Sequence, residues 1–108
     1  MKSYKDILLL DFYGNLLTDN MRETLDMYLN DDLSLSEIAD MEGISRQGVH
    51  DKVKRAMNQL HGYEDKLGLA QRFIEQKEAV KSAITLLDNK KYDEARDVLE
   101  SLSQAIEE

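Results

Sequence analysis

The stretch "LSLSEIADMEGISRQGVHDKVKR", residues 33–55, decides the fold of this chain. Ser34 and Glu37 form an S-x-x-E capping box, which predicts the start of a helix. Gly43 is expected to end that helix, and Ser45 is placed to cap the next one. Two helices joined by a short glycine turn indicate a helix-turn-helix.

The crossing of these two helices requires close packing, and the sequence provides the residues for it. A small side chain is needed where the second helix passes near the first, and Ala39 supplies it. We expect Ile38, Ile44 and Val49 to fix the angle between the helices. An inward stripe then continues along the second helix through Val53, Ala56, Met57 and Leu60.

The side chains of the second helix that lie off this stripe are polar, and four of them are basic. Arg46 and Gln47 at its start suit the edges of guanine and adenine, and the cations further along suit phosphates. The alternative is that these side chains belong to an ordinary solvated helix surface and bind nothing. The predicted nucleic-acid-binding residues are Ser45, Arg46, Gln47, His50, Lys52, Lys54 and Arg55.

The chain before the helix-turn-helix predicts two more helices. Residues 4–17 form an apolar helix that Ser3 can cap. Thr18 can cap a second helix, which ends at the "NDD" of residues 30–32. With no proline and only 5 glycines in 108 residues, the fold class is all-α.

The last part of the chain predicts a long helical hairpin. Apolar residues recur every three or four positions from Tyr63 to Leu87 and again from Tyr92 to Ile106, with a turn at residues 88–91. The first of these helices has more apolar positions than the second can cover, which favours a homodimer through the hairpin. The alternative is a monomer whose hairpin folds back on the first helix. The predicted domains are a helix-turn-helix domain, residues 1–62, and the hairpin, residues 63–108, as the dimerisation element.

The charge is strongly acidic but unevenly distributed. The formal net charge is -8. Residues 1–44 carry 3 basic and 10 acidic side chains, and residues 63–108 carry 7 and 11. Residues 45–62 carry 4 basic side chains and 1 acidic one, a net charge of +3. Any contact with a polyphosphate is therefore expected at the second helix of the motif.

Several classes of function lack the residues that they need. The chain has no cysteine, and its only histidines, His50 and His61, are too far apart on one helix to share a metal. No glycine-rich phosphate-binding motif is present, and no nucleophile stands near a base. We therefore expect no metal, no cofactor and no enzymatic activity. Apolar runs are too short to span a bilayer, so we expect a cytoplasmic protein without membrane contact.

The segment "DFYGNLLTDNMRETLDMYLNDDLSLSEIADMEGISRQGVHDKVKRAMNQLHGYEDKLGL" resembles the YlxM family of small helix-turn-helix proteins, and residues 33–55 are also similar to the promoter-reading region of sigma factors. The resemblance implies a sigma-factor-like helix-turn-helix bundle followed by the hairpin. It assigns Ser45, Arg46, Gln47, Val49 and Lys54 to the second-helix surface. It also implies an association with the signal recognition particle, through its GTPase subunit or its RNA.

Two hypotheses follow for the function. The first is a non-enzymatic regulatory protein that acts with the signal recognition particle. The second is a sequence-specific transcription regulator that binds DNA, and an enzyme is the least supported reading.

Overall fold

A computed structural model describes residues 2–107 of the chain, and over those residues the structure contains six α-helices, one short 3-10 turn and no strand. The predicted all-α class is confirmed. No helix in this part of the chain has the length and apolar character to cross a membrane. The helices are α1 Tyr4–Tyr13, α2 Asp19–Leu29, α3 Leu35–Glu42, α4 Arg46–Leu67, α5 Leu69–Asp88 and α6 Tyr92–Glu107.

The chain forms two compact units, Met1–Ala70 and Gln71–Glu108. In the first unit α4 packs against α1, α2 and α3. The core between them is apolar and fully enclosed, because its side chains come from the inward stripes of all four helices. The residues with no exposed surface include Leu9, Leu25, Ile38, Val49, Ala56 and Leu60.

Side chains cap four of the helices at their N-termini, as the sequence predicts. Each capping hydroxyl accepts a hydrogen bond from the backbone N–H three residues further on, which satisfies a donor that the helix leaves open. The capping residues are Ser3, Thr18, Ser34 and Ser45. At α3 the capping box is complete, since the Glu37 carboxylate also accepts from the Ser34 backbone N–H at 3.1 Å. That backbone bond, together with the Ser34 hydroxyl, lowers the pKa of Glu37.

The prediction of a single first helix over residues 4–17 is wrong over its last four residues. The α-helix ends at Tyr13, and a 3-10 turn of Gly14–Leu16 follows, after which Leu17 is extended. The chain has to reverse here because α2 begins at Asp19, and a 3-10 turn is the shortest way to tighten a helix end. Leu16 is 56 % exposed as a result.

The boundary after the motif also differs from the prediction. The helix expected to begin at Tyr63 does not, because α4 continues through Gly62 to Leu67. The break falls at Gly68, whose φ of 64° is left-handed and whose N–H donates to the Glu64 carbonyl at 2.8 Å. A left-handed glycine is the usual end of a helix, whereas a glycine inside one is tolerated. The division into domains at residue 62 stays a prediction.

The second unit is a helical hairpin. Lys90 in the turn between α5 and α6 has a φ of 58°, and the N–H of Lys91 donates to the Leu86 carbonyl at 2.8 Å, which closes the end of α5. Arg72 near the start of this unit lines one cleft with Ile106 near the end of α6. The two helices therefore run antiparallel, as predicted.

Candidate nucleic-acid interface

The turn of the motif is built on Gly43. Its φ is 70°, a left-handed conformation, and no atom lies within 4 Å of where a Cβ would stand. The N–H groups of Gly43 and Ile44 both donate to the Ala39 carbonyl, at 2.9 and 3.2 Å. Ser45 then caps α4 by accepting from the Gly48 N–H at 2.9 Å. Helix, turn and helix thus follow within three residues, as a helix-turn-helix requires.

The packing between α3 and α4 follows the prediction with one correction. Ile38 and Val49 are fully buried and Ala39 is 6 % exposed, so these three residues lie at the helix crossing. Ile44, predicted to join them, is 41 % exposed. Its position directly after the left-handed glycine directs the side chain along the outside of α4, where it lies against Gly48.

Most of the predicted site residues lie together on the outer surface of α4. Ser45 is exposed but its hydroxyl is used as the helix cap. The exposed residues that follow recur at spacings of three to four, which keeps them on one side of the helix. We call this surface the outward strip; it comprises Arg46, Gln47, His50, Asp51, Lys54 and Arg55.

Lys52 has a different environment from the other basic residues of α4. Its ammonium group lies 3.2 Å from both carboxylate oxygens of Glu42, and the two side chains are only 14 % and 13 % exposed. Glu42 also accepts from the hydroxyl of the buried Thr24, at 2.7 Å for the nearer oxygen. The structure therefore places Lys52 in a half-buried bridge that ties α4 to α3 and α2.

A hydrogen-bonded group of polar side chains lies within the outward strip. The amide Nε2 of Gln47 donates to the Asp51 carboxylate at 3.0 Å, and the ring Nδ1 of His50 lies 3.4 Å from the same oxygen. The bond from Gln47, and then that from His50, lowers the pKa of Asp51. Asp51 therefore keeps a negative charge on the strip and holds the Gln47 amide in one orientation.

Sequence reasoning missed two acidic side chains that join helices of the first unit, Glu42 and Glu64. Glu42 is one of ten acidic side chains in residues 1–44, and no spacing rule connects it with Lys52. The same is true of Glu64, which is 9 % exposed and accepts from the Tyr13 hydroxyl at 2.7 Å and from the Ala70 N–H at 3.0 Å. The pairs of Glu42 with Lys52 and Thr24, and of Glu64 with Tyr13, form only through the packing of separate helices, so only the fold shows them.

Within residues 2–107 no group of histidine and acidic side chains is arranged to hold a metal ion. The side chains of the outward strip are donors and cations with one carboxylate among them. Arg46, Lys54 and Arg55 can bind phosphate oxygens, and Gln47 can pair with an adenine edge. The outward strip therefore offers positive charge and hydrogen bonds suited to phosphates and base edges.

The short glycine turn between α3 and α4 and the packing of these two helices place this chain in the class of helix-turn-helix proteins. More particularly, the chain belongs to the UPF0122 family. The family model, described as "Putative helix-turn-helix protein, YlxM / p13 like", matches residues 1–105. The resemblance to YlxM is thereby confirmed.

Relatives in other organisms, each named UPF0122 protein, are similar to this chain over different lengths. The protein of Acetivibrio thermocellus is 55 % identical over 76 residues, which span 70 % of this chain and 65 % of that relative. The protein of Desulforamulus reducens is 43 % identical over 101 residues, 93 % of this chain and 86 % of the relative. That of Clostridium perfringens is 36 % identical over 101 residues, 94 % and 89 % of the two chains.

Proposed function

We propose that this protein is a non-enzymatic regulatory protein of the cytoplasm that binds nucleic acid through the outward strip of α4. The proposal is supported by a difference in exposure and pairing among the basic residues of α4. Lys52 is engaged with Glu42, whereas Arg46, Lys54 and Arg55 stand exposed on the helix that enters the groove in helix-turn-helix proteins.

The charge of the remainder of the chain limits the mode of binding. Residues 1–44 carry a net charge of -7, from 3 basic and 10 acidic side chains, and repel a polyphosphate wherever they approach it. Contact is therefore confined to the first turns of α4. We expect few phosphate contacts, moderate affinity and a strong dependence on salt.

The test is reversal of the three exposed charges, with Arg46→Glu, Lys54→Glu and Arg55→Glu in one chain. The matched control carries Lys66→Glu, Lys90→Glu and Lys91→Glu, which change the net charge equally at exposed positions outside the strip. Binding to a duplex DNA pool and to structured RNA is measured at low salt. We expect the first variant to lose at least tenfold in affinity while the control changes much less. Equal losses in both variants would refute the proposal.

The proposed physiological partner is the signal recognition particle, reached through its RNA or its GTPase subunit. This part of the proposal is supported by membership of the YlxM-like family together with the resemblance that links that family to the particle. A pull-down from cytoplasm with and without nuclease tests it. Particle components retained in both cases would support a protein contact, and components lost with nuclease would support a contact through RNA. Absence of the components from both would refute it.

A second candidate is sequence-specific regulation of transcription. The orientation of Gln47 by Asp51 favours it, because a fixed amide can read adenine through two hydrogen bonds. Selection from a random DNA pool distinguishes this candidate from the first. An enriched motif that Gln47→Ala alters at one base would favour DNA reading, and a pool without enrichment would exclude it.

We further propose that the hairpin joins two chains into a homodimer, so that each dimer carries two helix-turn-helix motifs. The support is the number of large apolar side chains that α5 and α6 leave exposed within one chain. Sedimentation of the purified protein tests this directly, since a monomeric mass at micromolar concentration would refute it.

A further inference from the structure

The exposed apolar residues of the hairpin recur at a regular interval on both helices. On α5 they include Phe73, Val80 and Leu87, which are 39 %, 43 % and 45 % exposed. On α6 they are Tyr92, Leu99 and Ile106, which are 61 %, 43 % and 59 % exposed. In each set the residues are seven positions apart, about two helical turns, so each set forms one line that winds only slowly around its helix.

The two lines lie on the same side of the hairpin. The faces that α5 and α6 turn toward each other are occupied by smaller or more buried residues, among them Ala83 and Ala95, which are 2 % and 1 % exposed. Leu87 of α5 lines one cleft together with Tyr92 and Leu99 of α6. The hairpin is therefore a two-helix layer with one continuous apolar face, which is half of a four-helix bundle.

The outer edges of this face differ in charge. Lys77 and Lys81 follow the apolar line of α5, and Lys81 lines a shallow groove with Phe73 and Val80. Asp93 and Glu100 follow the line of α6, where Glu100 also pairs with Arg96 at 2.9 Å. By the same spacing Asp88 follows Leu87 on α5 and Glu107 follows Ile106 on α6, so the edge of α5 has a net charge of +1 and that of α6, with Arg96, a net charge of -2.

We infer that this apolar face binds a second copy of the chain, with α5 of each copy lying on α6 of the other. Only this pairing brings a basic edge beside an acidic edge, and it does so twice under two-fold symmetry. Pairing α5 on α5 would place the lysines of two copies together. Because Leu87 lies beside Tyr92 and Arg72 lies beside Ile106 in the antiparallel hairpin, Glu100 is level with the part of α5 between Lys77 and Lys81. The cross-pairing therefore sets the Glu100 carboxylate of one copy between two ammonium groups of the other.

The size of the face is sufficient for a stable contact. Its half-exposed large apolar side chains and the aliphatic stems of the edge lysines present roughly 600 Å² per copy, close to the ~800 Å² that each partner contributes to a standard interface. The inference rests on the homodimer proposed above and adds to it the pairing of the helices.

Charge exchange between the two edges tests the arrangement in the full chain. One variant carries Lys77→Glu and Lys81→Glu, a second carries Asp93→Lys and Glu100→Lys, and a third carries all four changes. Lys90→Glu with Lys91→Glu, in the turn, is the control for net charge. Molecular mass is measured by sedimentation at low salt, and helix content by circular dichroism.

We expect the wild type and the turn control to be dimers, and each two-residue variant to dissociate at least tenfold more readily. A mixture of the two variants should form a heterodimer, and the fourfold variant should regain the dimer, because both restore opposite charges across each pair of helices. Recovery of the dimer in the mixture and in the fourfold variant cannot result from a loss of helix in a single variant. A dimeric wild type whose two-residue variants dimerise equally well, or whose mixture and fourfold variant stay monomeric, would overturn the cross-pairing alone. A monomeric wild type would overturn the homodimer as well.

Discussion

Two nearby lysines of α4, Lys52 and Lys54, lie in different environments on one helix, and we propose a structural role for the first and a binding role for the second. Lys52 is 14 % exposed in its side chain and is held by Glu42, while Lys54 is exposed on the outward strip. The two lysines are separated only by Val53. Their environments differ because residues two positions apart on a helix point in directions about 200° apart.

The first prediction compares Lys52→Met with Lys54→Met. Loss of the Lys52 ammonium leaves the Glu42 carboxylate half-buried without its counter-charge, so we expect a loss of about 2 kcal/mol in the free energy of unfolding. The Lys54 variant should change stability by less than about 0.5 kcal/mol, as exposed substitutions usually do. Denaturant unfolding measures both values. Equal stabilities in the two variants would contradict the assignment.

The second prediction concerns Tyr13, which is 1 % exposed and donates to Glu64. Burial, and then the bond to the Glu64 carboxylate, raises the pKa of Tyr13 above its ordinary value of 10.0. The pKa of Tyr13 is higher in the folded protein than in the unfolded chain. The stabilisation by Tyr13 is therefore complete below the pKa of the unfolded chain and is lost as the pH rises through the pKa of the folded protein. We therefore expect the protein to lose stability above about pH 10.

Tyr13→Phe tests this pH dependence. The variant should lose about 1–2 kcal/mol at neutral pH, because Glu64 and the Leu69 N–H each lose a hydrogen-bond partner. It should also show a smaller alkaline loss than the wild type. Tyr4→Phe, at a residue that is 52 % exposed, is the control. Unfolding curves between pH 7 and about pH 11 measure both effects, and identical alkaline profiles in wild type and Tyr13→Phe would refute the role of Tyr13.

At the scale of the elements, the starts of the four helices with a side-chain cap were predictable, because a cap is a local signal. The hydroxyls of Ser34 and Ser45 bond within three residues of their own position, so the sequence alone contains both partners. Helix ends were less predictable. Either Gly62 or Gly68 could end α4, and the local sequence does not show which of them does. The helix end depends on whether the inward stripe of α4 still packs against another helix.

The site was predictable to a similar extent and for a similar reason. Residues of the outward strip follow from the helical period once the inward stripe is known. The environment of Lys52 depends on Glu42 and Thr24, which come from two other helices. Such contacts between distant segments cannot be read from local spacing.

The third prediction compares two glycines by their backbone conformation. Gly43→Ala should cost roughly 1–2 kcal/mol, because a φ of 70° is strained for a residue with a Cβ even where space is open. Gly62→Ala should instead stabilise the protein by roughly 0.5–1 kcal/mol, because Gly62 lies inside α4 with open space around it. Thermal unfolding gives the signs. Two changes of the same sign would contradict either the left-handed turn or the continuity of α4.

At the scale of the whole molecule, the distribution of charge reconciles an acidic chain with a nucleic-acid-binding fold. The net charge of -8 coexists with a net charge of +3 over residues 45–62. In the proposed mode of binding, repulsion by the acidic segments suppresses non-specific contact, and the outward strip is the surface that approaches a phosphate backbone.

The salt dependence of nucleic-acid binding tests this role of the outward strip most directly. Each phosphate contact that a cation makes adds about 0.9 to the slope of log affinity against log salt concentration. With wild type, Lys52→Met and Lys54→Met compared at temperatures where all three are folded, we expect Lys54→Met to flatten the slope by about one and Lys52→Met to leave it unchanged. A wild-type slope near zero, or one that Lys54→Met leaves intact, would contradict nucleic-acid binding through α4.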